Sequence, residues 1–162
     1  MADRSTGLAF DVAVEAELWG DEQTLTALSE RALMAAAAHV TELLPQDPEV
    51  SVVFTDNNAI QTLNARWRGM DKPTNVLSFA ANDASGPPSP LLGDIVLAQE
   101  TIAREAQAQD KAFDDHVIHL LVHGFLHLLG HDHLNDKEAH AMEETERRVL
   151  ADLGIADPYG ET

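Results

Sequence analysis

EVSVVFTDNNAIQTLNARWRG, residues 49–69, changes character in its middle. EVSVVFT is rich in β-branched residues and suits a strand. Asp56, Asn57 and Asn58 follow, with side-chain oxygens of the kind that cap the N-terminus of a helix, and AIQTLNARW reads as the helix they open. Gly69 is placed to end it, since glycine takes the left-handed conformation that closes helices. A strand passing straight into a capped helix predicts a domain built from both kinds of element.

On the N-terminal side, LAFDVAVEAEL (8–18) alternates apolar with polar or small residues, the period-2 pattern of a half-buried strand. From Asp21, TLTALSERALMAAAAHVTELL is rich in Ala and Leu and reads as an amphipathic helix that stops before Pro45. On the C-terminal side, NVLSF (75–79) reads as a short strand. SGPPSP (85–90) reads as a loop, because its prolines cannot join a central ladder, and GDIVLA (93–98) as a further strand. Helices are predicted over 99–109, from Asp114 or Asp115 to Leu129, and over 137–153, the last ended by Gly154. No repeat, low-complexity tract or linker divides the chain. The order β-α-β-α-β-β-α-α-α predicts one compact α+β domain over residues 1–162, a small mixed sheet of about four strands packed with about five helices.

Composition narrows the function classes. A hydrophobic fraction of 44% supports a proper core, and no apolar run approaches a membrane span. The start, MADRSTGLAFDVAVEAE, lacks a basic segment leading into an apolar one, so no secretory signal is read. Cysteine is absent, which excludes disulfides, thiolate metal sites and a cysteine nucleophile, and the expectation is a soluble cytoplasmic protein with no membrane partner. The net charge is −18, with 28 acids against 10 Lys and Arg, so a generally basic, DNA-binding surface is not expected. Arg66, Arg68 and Lys72 nevertheless lie within seven residues beside the acid Asp71, a local basic patch on an acidic body.

HGFLHLLGHDH, residues 123–133, holds four of the chain's eight histidines. His123 and His127 stand four apart on one helix face, the spacing of the paired zinc ligands in a metalloprotease HExxH helix. A continued helix would carry His131 about 12 Å along the axis from His123, too far for easy sharing of one ion. Gly130 permits the chain to reverse, which makes His133 the better-placed third ligand and His131 the weaker one. Three protein ligands leave a position open, the mark of a catalytic site. The plainer alternative is a row of core histidines, but adjacent buried imidazoles without a shared partner leave polar atoms to satisfy. His119, one turn earlier, can orient a ligand, line the cleft or pack. Asp132 can hold a ligand ring by its N–H or simply cap the turn. Where HExxH has its general base, this chain has Gly124.

Residues 123–133 resemble the H-G-x-L-H-L-x-G-[YH]-D-H signature of the bacterial YbeY endoribonucleases. NARWRGMDKPTNVLSF (64–79) is similar to that family's second hallmark, R-x-x-D-x-P-T-D/N-V-L-S-F, and LLGDIVLA (91–98) and ADLGIADPYG also fit. The resemblance implies a metal-dependent, single-strand-specific endoribonuclease of ribosomal RNA maturation, acting at the 3′ end of 16S rRNA and in ribosome quality control. It further implies one zinc ion held by His123, His127 and His133, with Arg68 as the functional arginine of the cleft. Ribosomal proteins or a ribosome-associated GTPase are the partner proteins that go with this role. His131 departs from the tyrosine common at its position, which leaves it a substitute for His133, and the resemblance implies that it and Asp132 lie around the metal rather than hold it. Lys72, Thr74, Asn75 and Ser78, with His119, are candidates for contacting RNA, although a hydrogen-bonded turn and strand would account for the first four equally well. Two rivals remain open: a non-catalytic zinc-containing assembly factor, and a zinc peptidase in which another carboxylate, such as Glu143, substitutes for the missing base.

Overall fold

The computed structural model describes residues 7–81, 90–129 and 136–156. Its elements are β1 (Ala9–Val14), α1 (Glu22–His39), β2 (Glu49–Thr55), α2 (Asn57–Arg68), β3 (Val76–Ala80), β4 (Leu91–Ala98), α3 (Gln99–Ala108), α4 (Phe113–Leu128) and α5 (Asp136–Asp152). The sheet runs in the order β1-β2-β4-β3, with β1, β2 and β4 parallel and β3 antiparallel to β4. This is the mixed α+β arrangement that the element order predicts. The SGPPSP loop (Pro90 apart), the turn at Gly130 and the tail after Ala156 lie outside the described residues.

The stretch at 49–69 folds as read. Asp56 accepts the Ala59 N–H at 2.9 Å, and Gly69, at φ 72°, closes α2 by donating to the Asn64 carbonyl. Elsewhere most boundaries shift by one or two residues, and two differ by more. β1 ends at Val14 because the chain turns there to bury Trp19, whose indole N–H donates to the Thr55 carbonyl at 2.7 Å and whose ring meets Phe54 and Phe113. α1 stops at His39, and Thr41–Leu43 forms a separate 3-10 turn.

Strand alternation divides the core. Val50, Val52 and Phe54 of β2 and Ile95 and Leu97 of β4 pack on one face with α1 and α4. The opposite face is covered by α2, where Ile60 and Leu63 meet Leu77, Val96 and Ala98. Toward the strand starts this second face turns polar, with Asp11, Ser51 and Asp94 in register; burial and the neighbouring Asp11 push the Asp94 carboxyl up. Gly93, at φ 146°, lets β3 approach: a Cβ there would stand 2.1 Å from the Phe79 carbonyl oxygen.

α4 is the central helix, touching α1, α3, α5, β3 and β4. Val117, Ile118, Leu121, Val122, Phe125 and Leu126 are fully buried. Each such side chain contributes about 1.5–3 kcal/mol of burial, which fixes the helix firmly and with it whatever its remaining face carries. No helix among the described residues is long and apolar enough to cross a membrane.

Candidate active site

That remaining face carries histidines. Positions 116, 119, 123 and 127 fall at three- and four-residue steps, so the rings stack along one side of α4. Their centroids are separated by 6.0 Å, 6.3 Å and then 4.5 Å, closing up at the last pair. The Nε2 atoms of His123 and His127 face each other at 3.0 Å. Two nitrogens bound to one zinc at about 2.0–2.1 Å stand about 3.3 Å apart in a tetrahedral arrangement, so the pair, at hydrogen-bond distance, lies about 0.3 Å inside the spacing a shared cation would need.

The orientation of His123 is set from behind. Glu146, on α5 and fully buried, accepts from His123 Nδ1 at 2.8 Å and from His119 Nε2 at 3.0 Å. A carboxylate can only accept, so His123 carries a proton on Nδ1, which in the neutral ring leaves the lone pair of Nε2 facing His127. A buried carboxylate directing a histidine in this way is a recurrent support of metal ligands. It was not foreseen from the sequence, where Asp132 stood as the candidate. His119 is joined to the same carboxylate, which ties it to the orientation of His123.

Among the described residues no third candidate ligand joins the pair. His133, His131, Asp132 and Gly130 lie outside the described residues.

Arg68 ends α2, and its guanidinium donates to the Ser78 carbonyl at 2.6 Å and lies 5.5 Å from the centre of the Phe79 ring. Among the described residues it meets no carboxylate: Asp71 accepts instead from Gln61 Nε2 at 2.9 Å. Ser78 in turn donates through its hydroxyl to the Gly124 carbonyl at 3.0 Å. Arg68 is thus connected, through a single residue of β3, to the backbone between the two histidines.

The same contact explains Gly124. A Cβ on residue 124 would stand 2.9 Å from both Ile95 Cγ2 and Ser78 Oγ. α4 lies so close to the sheet that a side chain at position 124, glutamate included, fits only if Ile95 and Ser78 shift. Replacing an ordinary helical glycine by alanine gains about 1 kcal/mol. Gly124→Ala is expected to lose stability instead, because overpacking costs about 1–3 kcal/mol. Urea unfolding reads the sign, and a gain would mean that this packing is looser than described.

The other candidates are placed less centrally. Asn75 donates to Glu105 Oε1 at 2.9 Å and Oε2 at 3.2 Å, while its own oxygen accepts the Val76 N–H at 2.6 Å. Glu105 also meets His116 Nε2 at 2.9 Å, so Asn75, Glu105 and His116 join β3, α3 and α4. Burial pushes His116 below the ordinary histidine range, against the pull of Glu105. Lys72 is exposed, and its carbonyl accepts from Asn64 Nδ2 at 2.9 Å, which shapes the turn before β3. Thr74 is half-buried there. Glu143 is half-buried on α5, whereas the acid facing the histidines is Glu146.

Comparison with known proteins is consistent with this architecture. A family model described as Endoribonuclease YbeY matches residues 13–154. The Endoribonuclease YbeY of Rhizobium etli CFN 42 is 53% identical over 159 residues, covering 94% of this chain and 93% of that one. The Endoribonuclease YbeY of Agrobacterium fabrum is 50% identical, with 94% and 95% covered, and that of Rhizobium meliloti 50%, with 96% and 97% covered. The solution structure of TM1509 from Thermotoga maritima superposes with a TM-score of 0.57 over 94% of this chain and all of that one; at 21% identity it speaks for the fold alone.

Proposed function

The chain belongs to the YbeY family of endoribonucleases, and from that premise we propose that it is a metal-dependent endoribonuclease that cuts single-stranded RNA during ribosomal RNA maturation. The observation that carries the metal-dependent part is the meeting of His123 and His127 at 3.0 Å under the control of a buried carboxylate. His133 completes the ligand set on this reading, with His131 and Asp132 beside it, and the ion is zinc, one per chain.

A bound divalent ion supplies Lewis acidity toward the phosphoryl oxygens. The protein's own part is positioning and charge. Glu146 fixes the ring of His123 so that one nitrogen points into the site. Arg68 spends one N–H on the Ser78 carbonyl and keeps others for a phosphate oxygen, held in place before RNA arrives. Ser78 holds Arg68 and α4 in fixed relation, and Lys72 is available to a neighbouring phosphate. A phosphodiester needs no carboxylate base at position 124, because its cleavage depends on stabilising charge and aligning a nucleophile. A peptidase of the HExxH type does need one, and the packing around Gly124 disfavours it.

The protein acts in the cytoplasm, at the 3′ end of 16S rRNA, and the −18 charge suits contact with basic ribosomal proteins or a ribosome-associated GTPase. Purified protein should contain about one zinc per chain and cleave single-stranded RNA; a chelator should abolish cleavage and zinc should restore it, while a peptide digest alongside stays uncut. His133→Ala should lower zinc content far more than His131→Ala. Zinc-loaded protein that leaves RNA intact would favour the assembly-factor reading, and efficient zinc-dependent proteolysis would favour the peptidase.

A further inference from the structure

We propose that Trp67 is a stacking platform for a nucleobase of single-stranded RNA, next to the phosphate held by Arg68. This inference rests on the endoribonuclease reading and extends it to how the substrate is gripped.

The chain has two tryptophans, and the fold treats them oppositely. Trp19 is 7% exposed, hydrogen-bonded and packed between aromatic rings. Trp67, on the last turn of α2, is 59% exposed. A lone exposed apolar residue needs no explanation. This one stands in the chain's cationic stretch. The Arg66 guanidinium lies 5.1 Å from the centre of the Trp67 ring, Arg68 follows directly, and Lys72 is exposed on the adjoining turn. Met70, three residues on, is a second exposed apolar side chain, at 46%.

The charge balance makes stacking the needed source of affinity. Proteins ordinarily hold RNA through many Lys and Arg contacts to phosphates. This chain has 28 acids against 10 Lys and Arg, and Arg66, Arg68 and Lys72 fall within one seven-residue stretch. Stacking of a base on an indole is insensitive to net charge and tolerant of sequence. A tryptophan flanked by cations offers both parts of a nucleotide a partner: the ring takes the base and the guanidinium groups take the phosphates on either side. Such a pairing fits a single strand, whose bases are available, and not a duplex, whose bases are stacked on one another.

The test uses zinc-loaded protein and a short single-stranded RNA. Rapid mixing should quench tryptophan emission before cleavage, and Trp67→Phe should abolish most of that quench while retaining most of the affinity. Trp67→Ala should weaken binding about 5- to 150-fold, with the loss falling on KM more than on kcat. The salt dependence should be shallow, a log–log slope of about −2 for three phosphate contacts, and unchanged in Trp67→Ala. An RNA with abasic sites should bind wild-type protein as weakly as intact RNA binds Trp67→Ala. Equal affinity of wild type and Trp67→Ala, or of intact and abasic RNA, overturns the proposal. If Trp67→Ala binds RNA normally but no longer sediments with ribosomes, the occupant is a protein and the proposal is likewise overturned. A wild-type protein that cleaves RNA under the same conditions keeps the nuclease reading intact in each of these cases; one that cleaves no RNA at all removes that reading first, and this inference with it.

Discussion

Arg68→Ala protein is expected to fold and keep its zinc while cleaving RNA about 30- to 1000-fold more slowly, the equivalent of about 2–4 kcal/mol of transition-state stabilisation. Retained folding follows from the position. Arg68 is an exposed residue at the end of α2, and its contacts among the described residues are one carbonyl and one ring of β3. An ordinary surface pairing of this kind contributes about 0–1 kcal/mol. The large loss in rate follows from the geometry. The guanidinium is already anchored on the Ser78 carbonyl, so little reorganisation is needed when a phosphate arrives. Arg68→Lys keeps the charge but loses the planar two-pronged fork, and should recover only part of the rate. Arg66→Ala distinguishes catalysis from capture: Arg66 leans on Trp67 rather than on β3, so its loss should appear chiefly in KM. Single-turnover cleavage with metal analysis of each variant makes the measurement. Full cleavage by a folded, zinc-loaded Arg68→Ala protein would take Arg68 out of the site.

The parts of this molecule that are legible in the sequence are those whose cause is local. Residues 49–69 fold as their pattern dictates because β-branching, the Asp56 cap and the left-handed Gly69 act within a few residues of one another. The histidine pair is local too, since four residues make one turn. What could not be read depends on partners distant in sequence. The early end of β1 is decided by Trp19 reaching Thr55. Gly124 reads in the sequence as a missing base, and only the close approach of Ser78 and Ile95 shows that a side chain there would be overpacked. The role of Asn75 is decided by Glu105, thirty residues on. Glu146 left one trace: Met142, Glu146, Val149 and Leu150 form the buried stripe of an otherwise charged helix, and an acid on such a stripe signals a polar partner across the interface. Which partner it meets depends on how α5 packs on α4, and that is a property of the fold.

Glu146 carries the other large expected effect, and its two substitutions separate architecture from metal binding. Glu146→Ala leaves two imidazole N–H groups facing a cavity where an anion stood. Leaving buried donors unpaired costs about 1–3 kcal/mol each, so this variant should unfold at markedly lower urea concentration. Glu146→Gln keeps the shape. Its amide oxygen can accept from one ring, but its NH2 then meets the N–H of the other. To relieve that contact, either His119 or His123 must change tautomer or turn. If His123 gives way, its Nε2 acquires the proton and can no longer act as a ligand. The expected result is a nearly native stability with zinc affinity reduced about 10- to 100-fold, in line with the usual cost of losing a carboxylate behind a metal-binding histidine. Chelator competition measures the affinity, and nitrogen-resolved NMR of the histidine rings reports the tautomer in the metal-free protein. Wild-type affinity in Glu146→Gln, with His123 still protonated on Nδ1, would reduce Glu146 to a packing residue. A loss of affinity accompanied by a tautomer change at His123 would make the carboxylate on α5 the element that turns a row of helical histidines into a site.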